Sequence, residues 1–200
     1  MKAVIFDLGN VLIPYDHRRT VAALVSLCQC DAKLVEELLA ATSDDFGLGR
    51  LAPADLCAQM LARCAAPANV RCDDLYSAFC AGVGRNDAAL AYAVELQRRP
   101  AVTVGVISNT NAVHVAWLDD HLPELAELDL VMMSNEVNLL KPDPEVFLLA
   151  LELLEVGAGD ALFVDDQPVN VAAAAALGIH ALLHRTWQET LPAVEAWLAG

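Results

Sequence analysis

Basic side chains are scarce. The 200-residue chain carries 12 Lys and Arg against 27 Asp and Glu, a formal net charge of −15, and no stretch is dense in Lys or Arg. Such a surface repels polyanions, which excludes nucleic-acid binding through a basic face. Long apolar runs are missing too: none approaches the roughly 20 residues that a bilayer crossing needs. Only Ala3 to Phe6 stand between Lys2 and Asp7, too short a run for a signal peptide or an anchor. The expectation is a soluble, cytoplasmic protein, monomeric or homodimeric, with a small molecule as its partner and neither nucleic acid nor membrane. Low-complexity linkers and internal repeats are also absent, which leaves one large domain or a core carrying an insertion.

What is plentiful is apolar material: 56% of residues are hydrophobic and the mean hydropathy is +0.43. Much of it is Ala and Leu, which favours helices over a strand sandwich. The six cysteines (28, 30, 57, 64, 72 and 80) all fall in one part of the chain. Their spacing matches no zinc ribbon or finger, and Cys28 and Cys30 alone give a faint metal or redox hint. They are expected to be small buried thiols on helices in a reducing compartment.

Lys2 to Phe6 reads as a short buried strand ending at an acidic residue. From about Asp16 to Gly82 the pattern turns helical. Asp31 is placed to cap a helix through Leu34, Val35, Leu38 and Leu39, and Pro53 to open another. Asp73 or Asp74 starts a third, closed by Gly82. Asn86 caps a helix ending before Pro100, after which strand and helix alternate. Strands are expected at Val102 to Ile107, Leu128 to Met133, Ala161 to Val164 and Ile179 to Leu183. Helices are expected around Val113 to Leu118, from Asp143-Pro144 through Leu154, and over Val169 to Leu177. This alternation predicts an α/β, doubly wound parallel sheet covered on both faces. Its core spans residues 1–15 and 83–200, and a helical block, residues 16–82, is inserted after the first strand.

In open parallel sheets ligands bind beyond the carboxyl ends of the strands. Four polar clusters stand there: Asp7-Leu8-Gly9-Asn10-Val11, Ser108-Asn109-Thr110-Asn111, Lys141-Pro142-Asp143-Pro144, and Asp165-Asp166 followed by Asn170. A strand-end Asp alone is more often a turn or a helix cap, Ser108-Asn109 could cap the next helix, and Lys141 could sit in a solvated loop. The adjacent pair Asp165-Asp166 carries most information, because like charges crowded after a buried strand call for a cation.

Taken together and in this order, the clusters resemble the four motifs of the haloacid dehalogenase superfamily of hydrolases. The resemblance covers Lys2 to about Leu183, and the helical block corresponds to that superfamily's cap. It implies a Rossmann-like core and a Mg²⁺-dependent phosphohydrolase acting on a small phosphate monoester. Asp7 would be the nucleophile, with Asp7, the main-chain carbonyl of Gly9 and Asp166 as metal ligands. Ser108, Asn109 and Lys141 would bind the phosphoryl group, and Lys141 would also neutralise Asp7. Asp165, Asn170 and Asn10 would support this first layer. The residue types suit the chemistry: a hard divalent cation removes the repulsion between an attacking carboxylate and a phosphate dianion, and an acyl phosphate then forms and is released by water.

One position departs from the pattern. Phosphatases of this superfamily usually carry a second Asp two residues after the nucleophile, as acid and then base, and here that residue is Gly9. Such a group typically contributes about 10²- to 10⁴-fold. The phrases Phe6-Asp7-Leu8-Gly9-Asn10-Val11 and Ser108-Asn109-Thr110-Asn111, with His114, Trp117 and Pro123-Glu124 after them, resemble the bacterial α-D-glucose-1-phosphate phosphatase subgroup. That subgroup also has Gly at this position, which points to a sugar 1-phosphate. Asp16 and His17 are candidate replacements for the missing proton carrier. Two alternatives stand beside this reading. One is a 2-haloacid dehalogenase, which needs no metal but would set Asp165-Asp166 against the haloacid's carboxylate. The other is a phosphate-ester binding or regulatory protein of low activity. In the helical block, Arg18, Arg19 and Arg50 are the side chains best suited to hold a second anionic or hydroxyl-rich group, although a place on the surface is the more ordinary one for each.

Overall fold

The computed structural model describes residues 1–200. Its centre is a five-stranded, all-parallel sheet of β1 (Lys2–Phe6), β2 (Val102–Ser108), β3 (Leu130–Met133), β4 (Ala161–Asp165) and β5 (His180–Leu183), ordered β3-β2-β1-β4-β5. The expected fold class is the observed one. Both faces of the sheet are covered at its centre, so β1, β2 and β4 are largely apolar, while the edge strand β5 is only partly buried. Val4 and Phe6 of β1, with Leu162 and Val164 of β4, point into one cluster. There they meet α5 (Asp87–Gln97), α6 (Ala112–His121) and α10 (Trp187–Ala199). Ala3, Ile5, Ala161 and Phe163 point the other way, onto α8 (Pro144–Leu153) and α9 (Pro168–Ala176). The alternation is the two-residue period of a strand. Burying each large side chain such as Phe6 or Phe163 stabilises the fold by roughly 1.5–3 kcal/mol.

Between β1 and α5 lie α1 (His17–Cys28), α2 (Ala32–Gly47), α3 (Pro53–Arg63), α4 (Cys72–Phe79) and a 3₁₀ turn at Cys80–Gly82. They pack around a cluster of their own that includes Leu24, Val35, Leu56, Met60 and Leu75, all at most 1% exposed. Asp16 caps α1 by accepting from Arg18 N–H, Asp31 caps α2 through Lys33 N–H, and Pro53 opens α3. The two chain segments that enter and leave this block run side by side. Tyr15 and Val83 form an antiparallel bridge, Asp16 N–H donates to the Gly82 carbonyl at 2.9 Å, and Gly84 N–H to that of Pro14 at 3.0 Å. A Cβ on Gly82 would collide with the Asp16 carbonyl oxygen, so the close crossing requires glycine there.

Five details differ from the sequence reading. Cys57 and Cys72 form a disulfide, with Cα atoms 5.6 Å apart, while Cys28, Cys30, Cys64 and Cys80 are free. The expectation of six free thiols is corrected: α3 and the start of α4 fold back on each other, a proximity that spacing alone does not reveal. Helix α4 begins at Cys72, and Asp74 caps it from inside by accepting from Arg71 N–H at 2.9 Å. The third strand starts at Leu130 rather than Leu128. The carboxyl-terminal helix α10 contains Pro192, a residue that normally argues against a helix interior. The short α7 (Ser134–Val137) also had no counterpart in the sequence pattern.

Candidate active site

The chain winds outward from β1 to β2 and β3, then returns to β4 and β5 on the other side. The reversal between β1 and β4 makes a crevice beyond their carboxyl ends. In the register Phe6 pairs with Val106 and Val164, so Asp7 lies level with Ile107 and Asp165, one step before Ser108. Asp7 is tied down by its N–H, which donates to the Val164 carbonyl at 2.8 Å. Three of the four sequence clusters therefore meet because three parallel strands end at one height. The fourth arrives by the loop after α7, which brings Lys141 in from the side.

Lys141 is 4% exposed. Its ammonium donates to Asp7 Oδ1 at 2.6 Å and to Asp165 Oδ2 at 2.8 Å. Asn109 holds the lysine backbone at both ends: its amide nitrogen donates to the Lys141 carbonyl and its oxygen accepts from Lys141 N–H, each at 2.8 Å. The side chain of Asn109 is thus spent on placing Lys141. Asp165 is fully buried and saturated. Gln167 N–H donates to its Oδ1 at 2.7 Å, and the Asn170 amide lies 3.0–3.1 Å from both oxygens. Asp166 is half-buried, and its Oδ2 accepts from Asn10 Nδ2 at 3.3 Å and Gln167 Nε2 at 2.9 Å. Asn10 has φ +59°, and its Oδ1 accepts from Tyr15 N–H at 3.1 Å, which links Asp166 to the chain entering the helical block.

Carboxylate oxygens of Asp7, Asp165 and Asp166 all lie within 4.8 Å of one another. Three carboxylates and one lysine leave a formal excess of two negative charges, and burial keeps water from dispersing it. Burial pushes the Asp7 carboxyl up to about 6; Lys141 pulls it down and Asp165 adds repulsion. A set of oxygen donors alone, with this excess, fits a hard divalent cation such as Mg²⁺. Lys141 occupies one oxygen of Asp7, and the hydrogen bonds to Asp166 fall on its Oδ2. One oxygen of Asp7 and one of Asp166 are left for a ligand, while both oxygens of Asp165 are taken.

Above this floor opens a cavity of ≈ 580 Å³, reached by Asp7, Gly9, Asn10, Ser108, Asn109, Lys141, Asp166 and Asn170 from the sheet side. Its other wall comes from the helical block. An ideal Cβ on Gly9 would meet nothing within 4 Å, so no steric reason keeps an acidic side chain out of that position. Of the two proposed proton carriers, His17 lines the cavity and Asp16 does not; the Asp16 carboxylate is occupied in capping α1. His17 Nε2 lies 2.8 Å from Glu36 Oε2. His114, also on the wall, packs against the rings of Tyr15 and Phe79 at centroid distances of 5.6 and 5.0 Å, and burial lowers its pKa. Arg18, Arg19 and Arg50 do not reach the cavity. Arg19 lies 3.6 Å from Asp16 and Arg50 4.0 Å from Asp45, both out in solvent. Of the two placements open to these arginines, the ordinary one on the surface is the observed one, and they supply no second substrate contact.

Residues 1–178 match the family model described as haloacid dehalogenase-like hydrolase. The chain belongs to that family. Among curated relatives, this hydrolase is 27% identical over 180 residues to the sesquiterpene phosphatase astK of Aspergillus oryzae, covering 89% of this chain and 87% of that protein. It is 36% identical over 74 residues to acyl-CoA dehydrogenase family member 10 of Mus musculus, of which the match spans only 7%. Among solved structures, the HAD family enzyme bt-2542 of Bacteroides thetaiotaomicron, in complex with magnesium and inorganic phosphate, superposes with a TM-score of 0.83 at 21% identity, covering 95% of this chain and 98% of that one. A 2-haloacid dehalogenase from Pseudomonas syringae superposes at 0.64 with 20% identity, covering 100% and 98%. At such identities the structural likenesses speak for the fold.

The strand-end candidates in this hydrolase thus converge on one cavity floor. The sequence reading missed the far wall: Glu36, Thr42, Ser43 and Asp44 of α2 line the cavity, yet as residues of an amphipathic helix they carry no signal of it. Ser134 was also missed. Its hydroxyl accepts from Thr110 N–H at 2.9 Å and donates to the Gly47 carbonyl at 2.6 Å, fastening the end of α2 beside the Ser108 loop.

Proposed function

We propose that this hydrolase is a Mg²⁺-dependent phosphatase that cleaves small phosphate monoesters, a sugar 1-phosphate foremost, through a phosphoaspartate on Asp7. The observation that carries the reading is the cluster of three carboxylates around a single buried lysine, an arrangement with room for one cation and one phosphoryl group. Asp7, the Gly9 carbonyl and Asp166 would hold the cation, which supplies Lewis-acid neutralisation of the phosphoryl charge. The carboxylate of Asp7 attacks phosphorus as the bond to the leaving oxygen breaks. Lys141 neutralises Asp7 and the transferring group, while Asp165, saturated by Gln167 and Asn170, keeps the ammonium aimed. Ser108 and the Asn109 backbone donate to phosphoryl oxygens. Water then attacks the acyl phosphate and releases Asp7. The helical block, residues 16–82, serves as the lid over the reaction.

Gly9 leaves proton transfer to another group, and His17, oriented by Glu36 on the cavity wall, is the residue we assign to it. An ester whose leaving oxygen needs little protonation, such as an anomeric sugar phosphate, suits a site with a weak acid. The sequence relationship to a phosphatase along nearly the whole chain supports the reaction class. Against a dehalogenase stands the carboxylate cluster itself, since Asp165 and Asp166 would repel a haloacid.

The deciding experiment is phosphate release with Mg²⁺ across sugar phosphates, nucleotides and small phosphorylated metabolites, repeated with a chelator in excess. Hexose 1-phosphates should rank near the top, and the chelator should abolish release. Best turnover of ordinary primary-alcohol esters would remove the leaving-group argument. Chloride release from 2-chloropropionate in chelator would replace the reading altogether.

A further inference from the structure

We infer that the wall contributed by α2 selects esters whose leaving group is uncharged and hydroxyl-bearing, and rejects those carrying a second anion; the inference rests on the phosphatase reading above. A second phosphate or carboxylate on the substrate needs a second cation. Lys141 is the single Lys or Arg lining the cavity, its ammonium is already divided between Asp7 and Asp165, and a charge on His17 is matched by the Glu36 carboxylate 2.8 Å away. Arg18, Arg19 and Arg50 stay outside. To the same cavity α2 instead contributes Glu36 and Asp44. The Glu36 carboxylate is shared with His17, and Asp44 is exposed and joined to no cation.

Asp44 repels an anion, and both carboxylates accept hydrogen bonds from hydroxyls. Ser43 and Thr42 stand beside them. The Thr42 hydroxyl already donates to the Leu38 carbonyl at 2.8 Å, which leaves its lone pairs to accept. Phe46, also of α2, and Phe79 meet edge to face with centroids 5.8 Å apart; both are largely buried but reach the cavity lining and give it apolar edges for the C–H face of a polyol ring. At ≈ 580 Å³ the cavity far exceeds a phosphate and lies within the range of small-molecule sites. A wholly apolar chain is a poorer fit, because it would strip water from Glu36 and Asp44 without offering them a donor.

The test compares kcat/KM, with Mg²⁺, for a hexose 1-phosphate and glycerol phosphate (neutral), 3-phosphoglycerate and a hexose bisphosphate (second anion) and farnesyl phosphate (apolar), with p-nitrophenyl phosphate as the control for phosphatase activity. The neutral hydroxylated esters should exceed the anionic ones by about tenfold or more at low salt, a ratio that narrows at high salt as the exposed carboxylates are screened. Asp44→Lys should move the ratio about tenfold toward the anionic esters, and Asp44→Asn should move it part of the way. Both substitutions fall at an exposed position, so thermal melting should confirm folded protein. The inference is overturned if anionic esters match the neutral ones, if farnesyl phosphate ranks first, or if folded Asp44→Lys leaves the ratio unmoved. No phosphate from any ester, the control included, overturns the phosphatase reading and the inference with it.

Discussion

The floor and the far wall of the cavity are built by opposite rules. On the floor, strand ends and buried hydrogen bonds fix each group: Lys141 has two carboxylate partners and a clamped backbone, and Asp165 accepts from Lys141, Gln167 and Asn170. On the wall, half-exposed side chains of α2 stand on a helix whose packing depends on other residues, and their hydrogen bonds are few. The floor is over-determined, as chemistry on a charged ester requires. The wall is free to vary. On the proposed function, conserving the reaction and choosing the substrate fall to different parts of the molecule, with different sensitivities to substitution.

Substitutions on the floor should have the largest effects. Asp7→Asn keeps the shape and removes the nucleophile, so phosphate release should fall by about 10⁴-fold or more, with melting temperature held. Unchanged turnover in folded protein would end the proposed mechanism. Next comes Lys141→Met, which strands Asp7 and Asp165 without a counter-charge. It should cost about 3–5 kcal/mol of stability, about 10 °C in a chain of this size, and Mg²⁺ should restore part of the loss by binding only the folded state. A melting curve equal to that of the unsubstituted chain would show that the lysine is not needed to relieve the cluster.

Gly9→Asp sharpens the comparison by adding to the floor what the family pattern usually supplies. The space is open, so the fold should tolerate it, and turnover of esters with poor leaving groups should rise by about 10- to 100-fold. Burst kinetics would report whether formation or hydrolysis of the phosphoaspartate changed. A fall in turnover on every ester would mean that the new carboxylate competes for the cation instead of carrying protons.

The smallest effect belongs to the wall. Burial holds the His114 imidazole below its ordinary 6.5. Above 6.5 the ring is neutral in both folded and unfolded chains and contributes no pH dependence. As pH falls from 6.5 toward the lowered folded value, the unfolded chain takes up a proton that the folded chain resists, so stability declines. Replacing His114 with Gln should flatten that decline by about 1 kcal/mol or less between pH 6.5 and 5, measured by denaturant melts. An unaltered slope would place the titration elsewhere.

How legible each part was follows from the same contrast. Asp7, Ser108, Lys141 and Asp165-Asp166 could be read because each follows a short apolar strand or a proline-marked loop, and parallel strands bring their ends together by topology alone. Glu36 and Asp44 could not: on a helix with a solvent face, acidic residues are ordinary, and only the docking of the end of α2 beside the Ser108 loop sets them on the rim of the cavity. The Cys57–Cys72 link was hidden for a similar reason, since it depends on how α3 and α4 fold back. Helix α10 was masked by Pro192, whose local cost is outweighed by the packing of Val194 and Trp187 onto the core.

The bridge between Tyr15 and Val83 has a consequence for the history of such a chain. Because the points of departure and return touch, the length and shape of what lies between them place no demand on the sheet. A different segment could be spliced in at Pro14 and Gly84 without moving a strand. New substrate preferences could then be acquired by exchanging one contiguous piece of the gene, while the reacting carboxylates are inherited untouched.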